Sequence, residues 1–346
     1  MPRYVVPQKK HTAESARYGL KFDGLVKILG YHWRLILTLT INPAVDRNVS
    51  VDRLVFDDRA YILATSESAG GRGINASRVL HSYGAKTLAI LISGGKNGQR
   101  LQTLLQDAGF PFEAVPVAEE IRTNLTISDQ QGLTAKLNEQ GPAISKDELN
   151  RLEKAVERKL PKASWLMLCG SIPPSVDQNF YNKLIVMARE KGVKTLLDTD
   201  GDALLHGIEA GPTVVTPNHQ EAERLLSRAL ITRAHYLDAV SRIKLMGAES
   251  VILSLGARGA VATDGVNTFE VLPPRIDAVS PIGAGDAAAA AFVWAQNKKK
   301  EFPDCVRWGV AAGTASTRLA GMRFASLEQA KEIYKLTEVR GLNPTA

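Results

Sequence analysis

An α/β domain built on a mostly parallel central sheet, flanked by helices on both faces, is the fold class this chain predicts. Three observations carry that expectation. From Arg34 onward, short apolar runs alternate with longer amphipathic ones, the rhythm of strands joined by crossover helices. The apolar runs are near-continuous blocks rather than polar and apolar alternations, as in strands buried on both faces. A chain of 346 residues with 45% hydrophobic and 23% charged content is long enough to bury a full core.

Taken in order, the buried-strand candidates are Leu35 to Ile41, Thr87 to Ile92, Trp165 to Cys169, Thr195 to Leu197, Thr213 to Thr216 and Val251 to Leu255. Helices are expected over Ile74 to Tyr83, Leu101 to Ala108, Lys146 to Lys159, Val176 to Lys191, His219 to Leu226, Tyr236 to Met246, Asp286 to Gln296 and Asp304 to Leu319. Gly84 and Gly192 stand where left-handed caps end two of them. One segment breaks the rhythm. Asn124 to Ser128 alternates polar and apolar residues, meets Asp129-Gln130-Gln131-Gly132 and resumes in Leu133 to Leu137, a half-exposed hairpin. With its own strands within about 119–139 and partner strands from about 45–66, it reads as a small β-sheet lid or dimer contact, or as an ordinary surface hairpin.

The net charge of +7 invites a nucleic-acid reading, but residues 1–34 hold seven basic side chains against two acidic ones. The nearly neutral remainder argues against a nucleic-acid footprint on the fold. Residues 1–34 lack the apolar region of a secretory signal and show no strong periodicity, so they read as a disordered basic extension. That leaves 35–334 as the domain and 335–346 as a C-terminal tail. No run approaches the roughly eighteen apolar residues of a membrane span, so no membrane partner is expected. Cys169 and Cys305 are the only cysteines, which excludes a disulfide framework and suits a reducing cytoplasm.

Three glycine clusters carry the chemistry. Ala69-Gly70-Gly71-Arg72-Gly73-Ile74-Asn75 precedes a helix; its glycines let backbone approach a ligand, and Asn75 offers donors and acceptors to hydroxyls. No acidic residue follows until Asp107, too late for the ribose ligand of a dinucleotide fold. Ser254-Leu255-Gly256-Ala257-Arg258-Gly259 ends an apolar run at a carboxyl edge of the sheet, as a ligand loop or a hairpin turn. Pro281-Ile282-Gly283-Ala284-Gly285-Asp286 runs into an alanine-rich helix former. Free N–H groups at such a helix start favour a phosphate, and Asp286 there is either a first-turn carboxylate or a general base beside that phosphate.

These clusters, with Asn42-Pro43-Ala44-Val45-Asp46, Gly170-Ser171-Ile172-Pro173 and Thr216-Pro217-Asn218-His219-Gln220-Glu221, occur in the order seen in ribokinase-like PfkB sugar kinases. The chain resembles that family from about Ile36 to about Tyr334, and within it the phosphofructokinase and tagatose-6-phosphate kinase branch. The resemblance implies a ribokinase-like fold with a β lid, ATP with Mg²⁺, a monovalent cation such as K⁺, and a homodimer through the lid. It assigns Asp46, Gly70, Gly71 and Asn75 to sugar hydroxyls, and Arg72 and Arg122 to a phosphate already on the sugar. Asp286 becomes the catalytic base, and the backbone N–H groups of Gly283, Ala284, Gly285 and Asp286 stabilise the transferring phosphoryl. Asn218 and Glu221 lie near the nucleotide phosphates and Mg²⁺ without a direct metal ligand, while Ser254, Gly256, Gly259 and Thr314 line the nucleotide.

Some positions depart from the family pattern. Relatives often carry Lys or Gly where Arg72 stands, Lys at Thr216, Ser at Cys169 and Thr near Ser280-Pro281; Thr216 removes a charge near the expected ATP phosphates. A P-loop kinase is excluded by the lack of Gly-x4-Gly-Lys-Ser/Thr, and a zinc enzyme by histidines without His-x3-His spacing. A kinase for an unphosphorylated sugar or nucleoside, and an inactive sugar-phosphate sensor, are the alternatives.

Overall fold

A computed structural model describes residues 34–55 and 57–342; the expected extension, apart from Arg34, lies outside the described residues. The main sheet grows from β1 (Leu35–Thr40), β4 (Thr87–Ser93) and β5 (Phe112–Pro116) in one direction. In the other it continues through β8 (Ala163–Cys169), β9 (Lys194–Asp198), β10 (Val214–Val215) and β11 (Ser250–Ser254), all parallel. Antiparallel β12 (Ala260–Thr263), β13 (Thr268–Leu272) and β14 (Glu338–Leu342) extend that edge. The chain therefore reverses its direction of growth beside β1, the switch point where an open α/β sheet leaves a crevice at its carboxyl ends.

Alternation along each strand feeds two cores. Leu37 and Leu39 of β1 enter one layer, with Leu101 and Leu105 of α2 (Gly95–Ala108), Leu152 and Val156 of α3 (Lys146–Lys159) and Leu184 of α4 (Phe180–Glu190). Leu204 of α5 (Gly201–Glu209), Ala222 of α6 (His219–Leu226) and Val240 of α7 (Arg233–Leu245) complete it. Ile36 faces the opposite layer, built from α1 (Arg72–Ser82), α8 (Ala284–Asn297), α9 (Phe302–Thr317) and α10 (Leu327–Leu336). Aliphatic blocks were the signal for these strands because both faces are covered.

A second, four-stranded sheet holds β3 (Ile62–Gly70), β2 (Ala44–Val51), β6 (Arg122–Asp129) and β7 (Thr134–Asn138) in that order. Its β6–β7 hairpin pairs Asn124 with Asn138 through Ser128 with Thr134, the segment whose alternation marked it. Gly84 and Gly192 adopt φ of 74° and 66° after α1 and α4, the cap geometry their positions implied.

The end of the domain needed correction. Residues 335–346 read as a tail, yet α10 runs to Leu336 and β14 pairs with β13 from Glu338 to Leu342. An exposed edge strand rich in charge has no apolar alternation to announce it. A chain stopped after Leu336 should keep the fold but leave β13 as the edge. Amide hydrogen exchange in Thr268–Leu272 should then accelerate while β1 and β8 stay protected; unchanged exchange would show that β14 adds nothing to the sheet.

Candidate active site

The functional side chains gather along the carboxyl ends of β1, β8, β9, β10 and β11, where backbone leaves the sheet and groups can converge. At the β1 end the chain turns through Asn42 into β2 and delivers Asp46, which is 8% exposed. Asn124 Nδ2 donates to Asp46 Oδ1 at 2.8 Å across the β2–β6 pairing. Burial pushes the Asp46 carboxyl up, opposed by the Asn124 bond and the charges of Arg122 and Arg78. Gly70, opposite Ala44 on β3, has no room for a side chain: a Cβ there would overlap the Asp46 carboxylate. Arg122 donates to the carbonyls of Glu139 and Asn42, each at 3.0 Å.

This end of the cleft is rich in unmet polar capacity. Asn42 Oδ1, Ser68 Oγ, Asn75 Oδ1, Arg78 Nε, Arg122 Nε and Asn124 Oδ1 are buried without a partner. Buried orphans of this density are costly in a finished core and point to a polar ligand that satisfies them.

α1 begins immediately after Gly71 with no side-chain cap. Its fourth residue, Asn75, donates from Nδ2 to Asp286 Oδ2 at 2.7 Å. Asp286 lies in the first turn of α8, behind Gly283 at φ 78°, a left-handed conformation that favours glycine. A Cβ at Gly283 would also press on the Phe324 ring. Burial and the nearby Asp198 carboxylate raise the Asp286 pKa to about 7, with the Asn75 bond and Arg72 pulling the other way.

Arg72 does not point to the Asp46 end. Its Nη1 lies 3.1 Å from Asp198 Oδ1 and its Nη2 3.1 Å from Glu221 Oε1. The sequence groups it with Arg122 on the sugar phosphate; in the structure the Asp198 carboxylate at the end of β9 and Glu221 hold Arg72, while Arg122 bonds to the carbonyls of Glu139 and Asn42. Glu221 is also the third residue of α6, where it and Asn218 close a reciprocal cap with two 2.9 Å bonds. The helix-cap reading of that pair is met, and both side chains also line the cavity.

A cavity of about 850 Å³ joins these groups, lined among others by Arg72, Asp198, Thr216, Asn218, Glu221 and Asp286. Ser254, Gly256 and Gly259 form one wall, where the β11–β12 hairpin turns with Gly256 and Gly259 at positive φ. Turn and cavity wall coincide here. Thr314 on α9 lies on the opposite wall with Val310 and Gly313. Sequence reasoning missed Arg78 and Asp198. Arg78 stands one turn beyond Asn75 and Asp198 ends an aliphatic block, so helical spacing and a strand-end acid were the available signals.

Comparison with known proteins follows this geometry. The description "pfkB family carbohydrate kinase" matches residues 40–330. The chain is 31% identical over 302 residues to the ATP-dependent 6-phosphofructokinase isozyme 2 of Escherichia coli, covering 86% of this chain and 97% of that protein. Solved structures of phosphofructokinase-2 from Escherichia coli superpose closely. The complex with potassium gives a TM-score of 0.83 at 30% identity, over 87% of this chain and 98% of that one. The complex with fructose-6-phosphate gives 0.81 at 30% identity, with the same coverage. A mostly parallel sheet with a separate small sheet, carrying the glycine and Asn-x-x-Glu motifs around one cavity, thus has the architecture and the sequence of one family: the chain belongs to the pfkB family of carbohydrate kinases.

Proposed function

We propose that this kinase transfers the γ-phosphoryl group of ATP to a hydroxyl of a ketohexose phosphate, with fructose 6-phosphate, fructose 1-phosphate and tagatose 6-phosphate as the candidate acceptors. The observation that carries the reading is the Asn75–Asp286 pair at the junction of two differently built half-sites. One half is the orphan-rich pocket around Asp46, Asn75 and Arg122, suited to hydroxyls and a phosphate. The other is the cavity over Asn218, Glu221, Ser254, Gly256, Gly259 and Thr314, suited to a nucleotide.

Asp286 takes the proton of the attacking hydroxyl. A carboxylate raised to about 7 by burial is a stronger base than one in water and still ionises near neutrality. Asn75 holds it in place, and the N–H groups of Gly283 to Asp286 face developing negative charge at a helix start. Gly70 and Gly71 keep backbone against the sugar, Asp46 accepts from its hydroxyls, and Arg122 supplies charge for its phosphate. Magnesium belongs to the nucleotide in this reading. Among the described residues no group of three acidic, histidine or cysteine side chains forms a resident metal site, and Asn218 and Glu221 are the side chains nearest to hold the ion that ATP carries. The potassium complex of the Escherichia coli relative supports a monovalent cation as well. No helix of the described residues is long and apolar enough to cross a membrane.

The small sheet is proposed as lid and dimer contact. Tyr61, Ile62, Leu63, Leu133 and Leu137 project from it with more than half of each exposed, an apolar surface that a second copy would cover. Sedimentation at micromolar concentration should show a dimer, and Ile62→Asp should shift it to monomer; a monomeric parent protein would refute the contact.

Asp286→Asn should lower turnover by about 10²- to 10⁴-fold, since it removes the base while keeping the shape. Loss of a mere first-turn carboxylate would leave turnover nearly intact. In the parent enzyme kcat/KM should rise with pH as Asp286 ionises around pH 7, and a flat profile from pH 5 to 8 would remove it as base.

Arg122→Ala should raise KM for the sugar phosphate by roughly 10- to 100-fold, the loss of charged hydrogen bonds of about 1.5–3 kcal/mol. Unaltered kinetics on a neutral sugar or nucleoside, with no activity on sugar phosphates, would replace the substrate class.

A further inference from the structure

Among the described residues, two cationic side chains line the large cavity, Arg72 and Arg275, against the acids Asp198, Glu221, Asp277 and Asp286. Arg72 is committed. Its guanidinium bonds to Asp198 and Glu221 at 3.1 Å each. Arg275 is exposed and makes no hydrogen bond or ion pair within the described residues, not even with Asp277 two positions on. The backbone that carries it is nevertheless fixed. Arg275 lies in the connection from β13 to α8, where Pro273 abuts the turn at Gly259 so closely that a Cβ there would come within 2.7 Å of the proline ring. Ile276 packs on the cluster of Ala311, Ala315, Ala325 and Ile333, and the N–H groups of Val279 and Ser280 both donate to the Thr317 carbonyl, at 2.7 and 3.0 Å. Arg275 therefore stands between two anchors, a proline pair ahead of it and a core isoleucine behind, with its guanidinium unpaired on the cavity wall.

An unpaired guanidinium on a rigid wall keeps its whole donor capacity for an incoming anion, five N–H groups in a planar fork that matches phosphate oxygens. The rest of the lining does the opposite. With Arg72 shared between two acids, the cavity holds more carboxylates than cations, so an approaching phosphate is repelled except where Arg275 stands. Thr216, also in the lining, brings no charge. Resting on the kinase reading, we propose that Arg275 is a nucleotide-binding residue that grips the phosphates ATP keeps as ADP, and so selects nucleoside di- and triphosphates over the bare nucleoside. It makes no bond to the transferring group. Its contribution is equal before and during transfer, which places it in affinity for ATP and ADP alike and leaves kcat to the groups around Asp286.

The test compares the parent protein with R275Q and R275K by calorimetric titration of Mg·ADP and of adenosine, alongside steady-state kinetics. R275Q should weaken Mg·ADP and raise KM for ATP by about tenfold each, with adenosine binding, kcat and the sugar-phosphate KM held. R275K, which keeps the charge, should stay within about threefold of the parent. Mg·ADP binding unchanged in R275Q would make Arg275 a solvated side chain. Equal weakening of adenosine would move its contact to base or ribose, and a fall in kcat with both KM values kept would move it to the transferring group; each result overturns the proposal. The parent protein supplies a second measurement that needs no variant. Its Mg·ADP affinity should fall several-fold between about 50 and 500 mM salt while that for adenosine holds, because an exposed charge is screened, and a salt-independent Kd refutes the contact. A parent protein that binds Mg·ADP but phosphorylates no sugar phosphate would sink the kinase reading alone, since these titrations need no turnover. Absence of Mg·ADP binding in the parent overturns the proposal whatever the turnover.

Discussion

Keeping carboxylates ionisable away from water is the constraint that organises this molecule. Asp46, Asp198, Glu221 and Asp286 are all nearly buried, and burial pushes each above the ordinary carboxylate range. An acid raised in the folded state favours its protonated form, so it costs stability as pH climbs from its unfolded value towards its folded one. For Asp286 that window runs from 3.8 to about 7. The fold offsets the cost with directed partners: Asn124 for Asp46, Arg72 for Asp198 and Glu221, and Asn75 for Asp286. A protein selected for stability alone would fill these positions with apolar side chains.

The second requirement is close approach around the start of α8. α8 and α9 pack tightly enough that a Cβ at Gly309 or Gly313 would meet the carbonyls of Ala288 and Ala284 at 2.9 Å. The alanine run that follows Asp286 is thus more than a strong helix former. Its small side chains bring α9, with Thr314, to the wall of the cavity whose floor is the α8 start. Packing on the far layer thereby sets the width of the proposed nucleotide site.

Much of this was legible in the chain because both-face burial and helix periodicity leave strong patterns. The central parallel strands, the β6–β7 hairpin and the helices from α1 to α9 other than α5 appeared at or near their observed positions. β5, with a proline at its end, and β14, with Glu338 and Arg340 exposed, lack such patterns. α5 opens on Asp200-Gly201-Asp202, a turn signal rather than a helix signal. In the site, motif order located Asp46, Asn75, Asn218, Glu221 and Asp286, yet the orientation of Arg72 could not be read from it. A long side chain at a helix start can reach either neighbour. Which one it takes depends on Asp198, brought within 3.1 Å only by tertiary structure from 126 positions away.

The first turn of α1 is consequently where the site is assembled. Gly70, just ahead of it, lets Asp46 pack; Arg72 holds the acids at the ends of β9 and α6; Asn75 holds Asp286 on α8. These contacts join the small sheet, the large cavity and the Asp286 carboxylate through six consecutive residues. Backbone freedom at Gly70 and Gly71, followed at once by helix, gives that economy: side chains three apart on a helix share one face, so Arg72 and Asn75 leave the same surface of α1. A shift of that turn would move the proposed sugar contact, a charge and the aim of the proposed base together. Coupling between the half-sites therefore needs no separate relay, because one rigid turn belongs to both.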